Sequence, residues 1–381
     1  MIAFAFLGLL AIGAAFGVKY LQAQEADGQG GGGQAATDDT AFVAEVSPKG
    51  LEDDQFIREP VVSEDGQTAY AGADDNALYA VDVPNNKERW RYPTKGRVQS
   101  TPFVDDGVVY VGDDAGFLHA VDAVTGKKKW SDRVGDGPVG SPVVDDGLLV
   151  VLTDDGKQVS AFSAEDGDEE WSERANASSY VRPMLFNGFV LVSSIRPEGV
   201  VVFQRDDGDF VGQFRTEDPI YATGVIADDW LFVASSNGAG TSAKLDKDTY
   251  HVYGFPLRKG TREKPWRFRT SGPNPWPVAA VDGRVYVSSN DGNVYALDAT
   301  EGTQKWAFSI PEERFGGLAA DEESVYVASN PGLVALDATT GKQRWVNDKG
   351  GRPRTPSVAD NVVVATTDQR LYAVNPESGF A

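Results

Sequence analysis

Histidine and cysteine set the chemistry that this sequence can attempt. It holds two histidines, His119 and His251, and no cysteine in 381 residues. No disulfide, thiol nucleophile, cysteine-ligated zinc, iron–sulfur cluster or covalently attached c-type haem is therefore available. Two isolated histidines also make a His-rich metal site unexpected and offer no Ser-His-Asp relay to propose. His119 stands just before Ala120, as Tyr79, Tyr295 and Tyr372 stand before equivalent alanines, so it is expected to be a packed strand aromatic. His251 falls in an irregular stretch, and its role is left open. Paired acids (Asp74-Asp75, Asp105-Asp106, Asp113-Asp114, Asp145-Asp146 and Asp154-Asp155) have the donors for calcium or for shared-proton chemistry. They recur at equivalent turn positions, however, and none has the spacing of an EF-hand loop. The expected catalytic, cofactor and metal residues are accordingly none.

The elements that would position any site follow from self-similarity. One phrase recurs: AVDVPNNKERW (80–90), AVDAVTGKKKW (120–130), AFSAEDGDEEW (161–171), ALDATEGTQKW (296–306) and ALDATTGKQRW (335–345). Two degenerate copies fill the gap. VFQRDDGDFVGQF (202–214) keeps the Gly but carries its aromatic late, and HVYGFPLRKGTREKPW (251–266) keeps the Trp but is lengthened. An eighth, AVNPESG (373–379), stops before its Trp would come. Each unit of roughly forty residues also holds an earlier turn between apolar runs, such as Asp105-Asp106-Gly107, Asp145-Asp146-Gly147, Asn187-Gly188 or Asp282-Gly283. Asp-Gly and Asn-Gly suit tight hairpins because those turns require positive φ. The runs between turns are rich in β-branched and aromatic residues, and none keeps a helical period. Every unit thus reads as a four-stranded antiparallel meander.

Proline marks the start of the first strand in most units, at Pro60, Pro102, Pro142, Pro183, Pro277 and Pro356. Lacking a ladder donor, it belongs on an edge, so this strand is expected innermost, lining a central channel. Radial repetition gives an all-β fold, an eight-bladed β-propeller. The last unit lacks an outermost strand, and Phe42-Val43-Ala44-Glu45-Val46 is expected to supply it and close the ring.

Upstream, residues 2–18 form an uncharged apolar run. It is shorter than the ~20 residues of a bilayer span and longer than the ~7–15 of a signal-peptide core. Residues 1–23 are expected to be a signal peptide or N-terminal membrane anchor, 24–39 a Gly-rich flexible linker and 40–381 the propeller. Without cysteine there is no lipoprotein anchor. The formal charge is −22 at pH 7, which repels phosphate over most of the surface and argues against a nucleic-acid partner. Asp outnumbers Glu, 38 to 19, a bias that fits both a high-salt environment and the many Asp turns.

The phrases resemble the tryptophan-docking repeats of the pyrroloquinoline quinone (PQQ) propeller family over roughly residues 40–381. The resemblance implies that the Trp of each outer strand packs between neighbouring blades: Trp90, Trp130, Trp171, Trp266, Trp306 and Trp345, with Phe214 a substitute. That family divides into quinoprotein dehydrogenases and non-enzymatic propellers such as BamB, the outer-membrane assembly scaffold. The dehydrogenases are much longer, and many place a vicinal disulfide against the quinone. They also hold calcium and a catalytic aspartate in inserted loops, for which no motif is found. In size and organisation this sequence is similar to the BamB-like branch, from which it departs in lacking a lipidated cysteine.

The least repetitive stretch lies between Trp171 and Trp306. It contains Arg258, Lys259, Arg262 and Lys264, a basic cluster beside Tyr250, Tyr253 and Phe255, either a partner-binding loop or a solvated hairpin. Trp276, flanked by Pro275 and Pro277, is a candidate at the channel mouth. The expected protein is an exported, monomeric, non-enzymatic scaffold, periplasmic or extracellular, meeting the membrane only through its N-terminal segment and binding protein partners in the cell envelope. A PQQ-dependent dehydrogenase-like quinoprotein, with PQQ and calcium, is the alternative, and a surface adhesion module a third.

Overall fold

A computed structural model describes residues 57–85, 87–236, 250–258, 260, 262–274, 276–310, 316–330, 332–348, 353–359, 362–367 and 370–379. Among them are 31 strands in eight antiparallel sheets and no helix, hence none long and apolar enough to cross a membrane. Seven sheets have four strands in sequence order, and the eighth has three, Ser357–Ala359, Val362–Thr366 and Leu371–Val374. The short first strands of blades 2 to 8 neighbour one another in succession, those of blades 1 and 8 meet, and blades 1 and 2 share a core, so the sheets are eight blades of a β-propeller. The segment 42–46, expected as the missing strand, lies outside the described residues. So do residues 1–23 and the linker 24–39.

Local chemistry accounts for the meander. Between first and second strands, Asp106 and Gly107 have φ of 42° and 73°, and Asp146 and Gly147 have 45° and 76°. These paired positive values twist a two-residue turn in the same sense as its strands. The phrase itself is the hairpin from third to outer strand. Ala80 pairs with Trp90, Ala120 with Trp130, Ala161 with Trp171, Ala296 with Trp306 and Ala335 with Trp345, each followed by a register shift. The phrase Asp fixes the turn. Asp122 Oδ1 accepts the Thr125 amide at 2.7 Å and its hydroxyl at 2.6 Å, and Asp337 holds Thr340 in the same way at 2.7 Å each.

Blades lock through their indoles. Nε1 of Trp90 donates to the Ala123 carbonyl and that of Trp130 to Ala164, both at 3.0 Å. Trp171 reaches Arg205 at 2.7 Å, Trp266 Ala299 and Trp306 Ala338 at 2.9 Å, and Trp345 Pro376 at 2.8 Å. Each carbonyl belongs to the next blade's phrase. The Gly of that phrase lies against the ring: a Cβ on Gly167 would stand 2.9 Å from the Trp130 indole. A second-strand aromatic backs five of the six indoles, for example Tyr110 on Trp130 at 6.2 Å and Tyr286 on Trp306 at 5.8 Å between centroids, while the second strand behind Trp171, Leu148–Thr153, holds no aromatic.

Blade 4 (Met184–Phe186, Phe189–Ser194, Gly199–Gln204, Phe210–Arg215) breaks the pattern. Gly212 pairs with Val202, where other blades place Trp. Phe214 packs on Phe255 of blade 5 at 5.3 Å but has no N–H to donate to the next blade. Closure uses other contacts. Ile57, Val62 and Val81 share a core with Val364 and Leu371, Val62 N–H donates to Ser357 Oγ at 3.2 Å, and Thr366 Oγ1 donates to the Arg58 carbonyl at 2.8 Å.

The docking phenols predict an alkaline limit. Tyr110 and Tyr286 hydroxyls donate to the Ala164 and Ala338 carbonyls at 3.3 and 3.1 Å, and burial pushes both phenols up to about 12 from 10.0. A raised acid favours the neutral form in the fold. Its stabilisation is thus complete below pH ~10 and is lost as pH climbs through about 12. Tyrosinate absorbance and near-ultraviolet circular dichroism should change together in that window; phenols ionising near pH 10 in an intact ring would contradict it.

Candidate functional site

Three places concentrate polar or exposed side chains. The first is the axis, at the residues that lead into the innermost strands. Glu59 accepts from the hydroxyls of Thr355 on Oε1 at 2.8 Å and Thr101 on Oε2 at 3.2 Å, bridging blades 8 and 2. Arg182 reaches past blade 3 and donates to the carbonyls of Thr101 at 3.2 Å and Pro102 at 2.8 Å, its guanidinium 5.5 Å from the Phe103 ring centre. Burial draws Arg182 down to about 10, with Glu59 pulling the other way, so it stays charged at neutral pH. The Thr101 amide donates to Ser141 Oγ and the Arg182 amide to Thr223 Oγ1, both at 2.9 Å. These contacts tie blades across the axis.

The second place is a relay that residue counting missed. Asp113 sits in the turn between second and third strands of blade 2 (Val108–Gly112, Phe117–Asp122), His119 on the third and Ser131 on the outer strand (Lys128–Arg133). His119 Nε2 lies 3.1 Å from Asp113 Oδ2, and Nδ1 lies 2.8 Å from Ser131 Oγ. In a neutral ring, Nε2–H donates to the carboxylate and Nδ1 accepts the serine hydroxyl. Asp113 also accepts the amides of Lys95 and Gly96 at 3.0 Å each on Oδ2, and those of Ala115 and Phe117 at 2.9 and 3.0 Å on Oδ1. Burial would raise this carboxyl, but the His119 and backbone hydrogen bonds outweigh it and hold it below its ordinary value. His119 is 2% exposed and lies against Tyr92 and Phe117, so it is both the packed aromatic and a polar partner. Blade 1 places Tyr79 on Asp75 and blade 6 places Tyr295 on Asp291. The relay is a variant of this recurring turn latch, with Ser131 half-buried on the outer strand.

The third place is the junction of blades 4 and 5. Phe210 and Val211 are 67% and 47% exposed, and a Cβ on Gly212 would meet nothing within 4 Å. Blade 5 (Val225–Ala227, Trp230–Ala234, Tyr250–Pro256, Trp266–Thr270) contributes the basic hairpin. Arg258 is tied to Asp229, and Arg262 and Lys264 are exposed; Lys259 lies outside the described residues. Trp276 is half-buried, packed on the core shared by blades 6 and 7. His251 is buried, with Nδ1 3.9 Å from Asp218 Oδ2.

Among the described residues no three of His, Cys, Asp and Glu come together as metal donors, and the axial Glu59 and Arg182 are engaged with neighbours.

A family model described as outer membrane protein assembly factor BamB matches residues 24–139, 104–217, 196–314 and 256–381. No curated protein matches the chain. Among solved structures, that of BamB from Moraxella catarrhalis superposes with a TM-score of 0.70 at 16% identity, covering 87% of this chain and 98% of that one. The computationally designed Ika8 protein superposes with a TM-score of 0.71 at 14% identity, covering 86% and 98%. At such identities both show the fold alone.

Proposed function

The chain belongs to the family of outer membrane protein assembly factor BamB, and we propose that within it this protein is a non-enzymatic scaffold that binds protein partners during envelope assembly. It is exported, tethered or released by its N-terminal segment, and works as a single ring. The carrying observation is the junction of blades 4 and 5, where the docking repeat lapses and a basic hairpin stands out from a chain of net −22. Departures from a regular framework are where binding surfaces are grafted.

Purified protein given PQQ and calcium is expected to show neither a quinone absorbance shift nor dye-linked alcohol or sugar oxidation; turnover would replace the scaffold with a quinoprotein. The double variant Arg262→Glu, Lys264→Glu is expected to lower capture of partners from solubilised native membranes at least fivefold with an unchanged melt. Undiminished capture would remove the hairpin from the binding surface.

A further inference from the structure

The outer strand of a blade is the free edge of its sheet, and charge there keeps other strands from adding. Six described outer strands carry charge at their first or second residue: Lys87, Lys128, Glu169, Arg267, Lys305 and Arg344. The blade 4 strand reads FVGQFR and has no charge until Arg215. It is also the strand without an indole, and its Phe210 and Val211 lie exposed.

The wall beside it has a definite sign. Among the described residues of 257–270, blade 5 carries five basic side chains against one acid, Glu263. Asp229 and Glu217 engage Arg258 and Arg267, while Arg262, Lys264 and Arg269 are exposed. An uncharged edge next to a basic wall calls for an occupant that is apolar along its length and acidic at its flank. A second copy fits poorly: its matching strand has no acid, and each copy carries −22.

We propose that the free edge of Phe210–Arg215 receives an extended segment of a partner protein as a fifth strand. Backbone hydrogen bonds supply the affinity, alternate apolar side chains cover Phe210 and Val211, and acidic side chains reach Arg262 and Lys264. This rests on the scaffold reading and names its class of partner.

The test uses the whole protein and two labelled synthetic peptides of alternating valine and threonine, one flanked by glutamates and one by lysines. The glutamate peptide is expected to bind at least tenfold more tightly and to slow amide hydrogen exchange across 210–215. Val211→Lys should weaken it at least tenfold without shifting the melt. Equal binding of both peptides, protection elsewhere, or full binding by Val211→Lys would overturn the proposal. So would dimerisation abolished by Val211→Lys, which assigns the edge to a second copy. If neither peptide binds while capture from native membranes persists, this edge is wrong and the scaffold reading stands. If capture fails as well, the scaffold reading falls with it.

Discussion

Trp130→Ala is expected to lower the free energy of unfolding by about 3–5 kcal/mol, the range for deleting a large buried aromatic. The indole is 8% exposed, backed by Tyr110, and donates to the Ala164 carbonyl of the next blade. Removing it opens a void in an interface with no other indole. Trp130→Phe keeps most of the packing and loses the N–H, so about 1 kcal/mol should go. Gly167→Ala attacks the same lock from the other side, since its φ is 85° and its new Cβ would press on the indole. The two changes damage one contact, so together they should cost less than their sum. Urea unfolding of the four proteins checks this; a loss below about 1 kcal/mol for Trp130→Ala would mean the blades hold without the dock.

Asp113→Ala should cost about 3–5 kcal/mol, because it strands several buried donors at about 1–3 kcal/mol each, offset in part by relaxation around the site. The carboxylate is fully buried and is the acceptor for four amides and His119, all stranded by its removal. Asp113→Asn keeps one acceptor oxygen and should cost less. The same carboxyl sets an acid dependence. Because its folded value is lowered, its stabilisation is present above the unfolded Asp value of about 3.9 and disappears as pH falls through the folded value. Asp82, Asp122, Asp298 and Asp337 are lowered too and push in the same direction. The melting temperature should therefore drop below about pH 4, more steeply in the wild type than in Asp113→Asn. Parallel pH profiles would show that Asp113 does not carry this linkage. Ser131→Ala, which leaves the carboxylate and its amides in place, should move the melt far less.

Blade number, strand order and the hairpin turns could all be read from the chain because each depends on chemistry within a dozen residues. An Asp-Gly pair makes a turn wherever it stands, and Asp122 with Thr125 closes its hairpin without help from elsewhere. Repetition then multiplies each local signal. Even the break at blade 4 was visible as a Gly in the place of Trp, but not its result, since whether Phe214 could fill the gap depends on Phe255 in the next blade.

The repeats in the sequence therefore determined a ring of tandem sheets, and their resemblance to a known family implied which residues of seven units wedge against the next. Only the tertiary structure decided what faces the axis and what lies buried beside His119. Glu59 meets Thr101 and Thr355, 42 and 296 positions away, and Arg182 meets Pro102, 80 away, because the ring closes. Asp113, His119 and Ser131 line up because a turn and two pleats aim their side chains into one space. Composition counted two histidines and saw no relay there, since a hydrogen bond depends on direction and distance, which spacing along a chain does not carry.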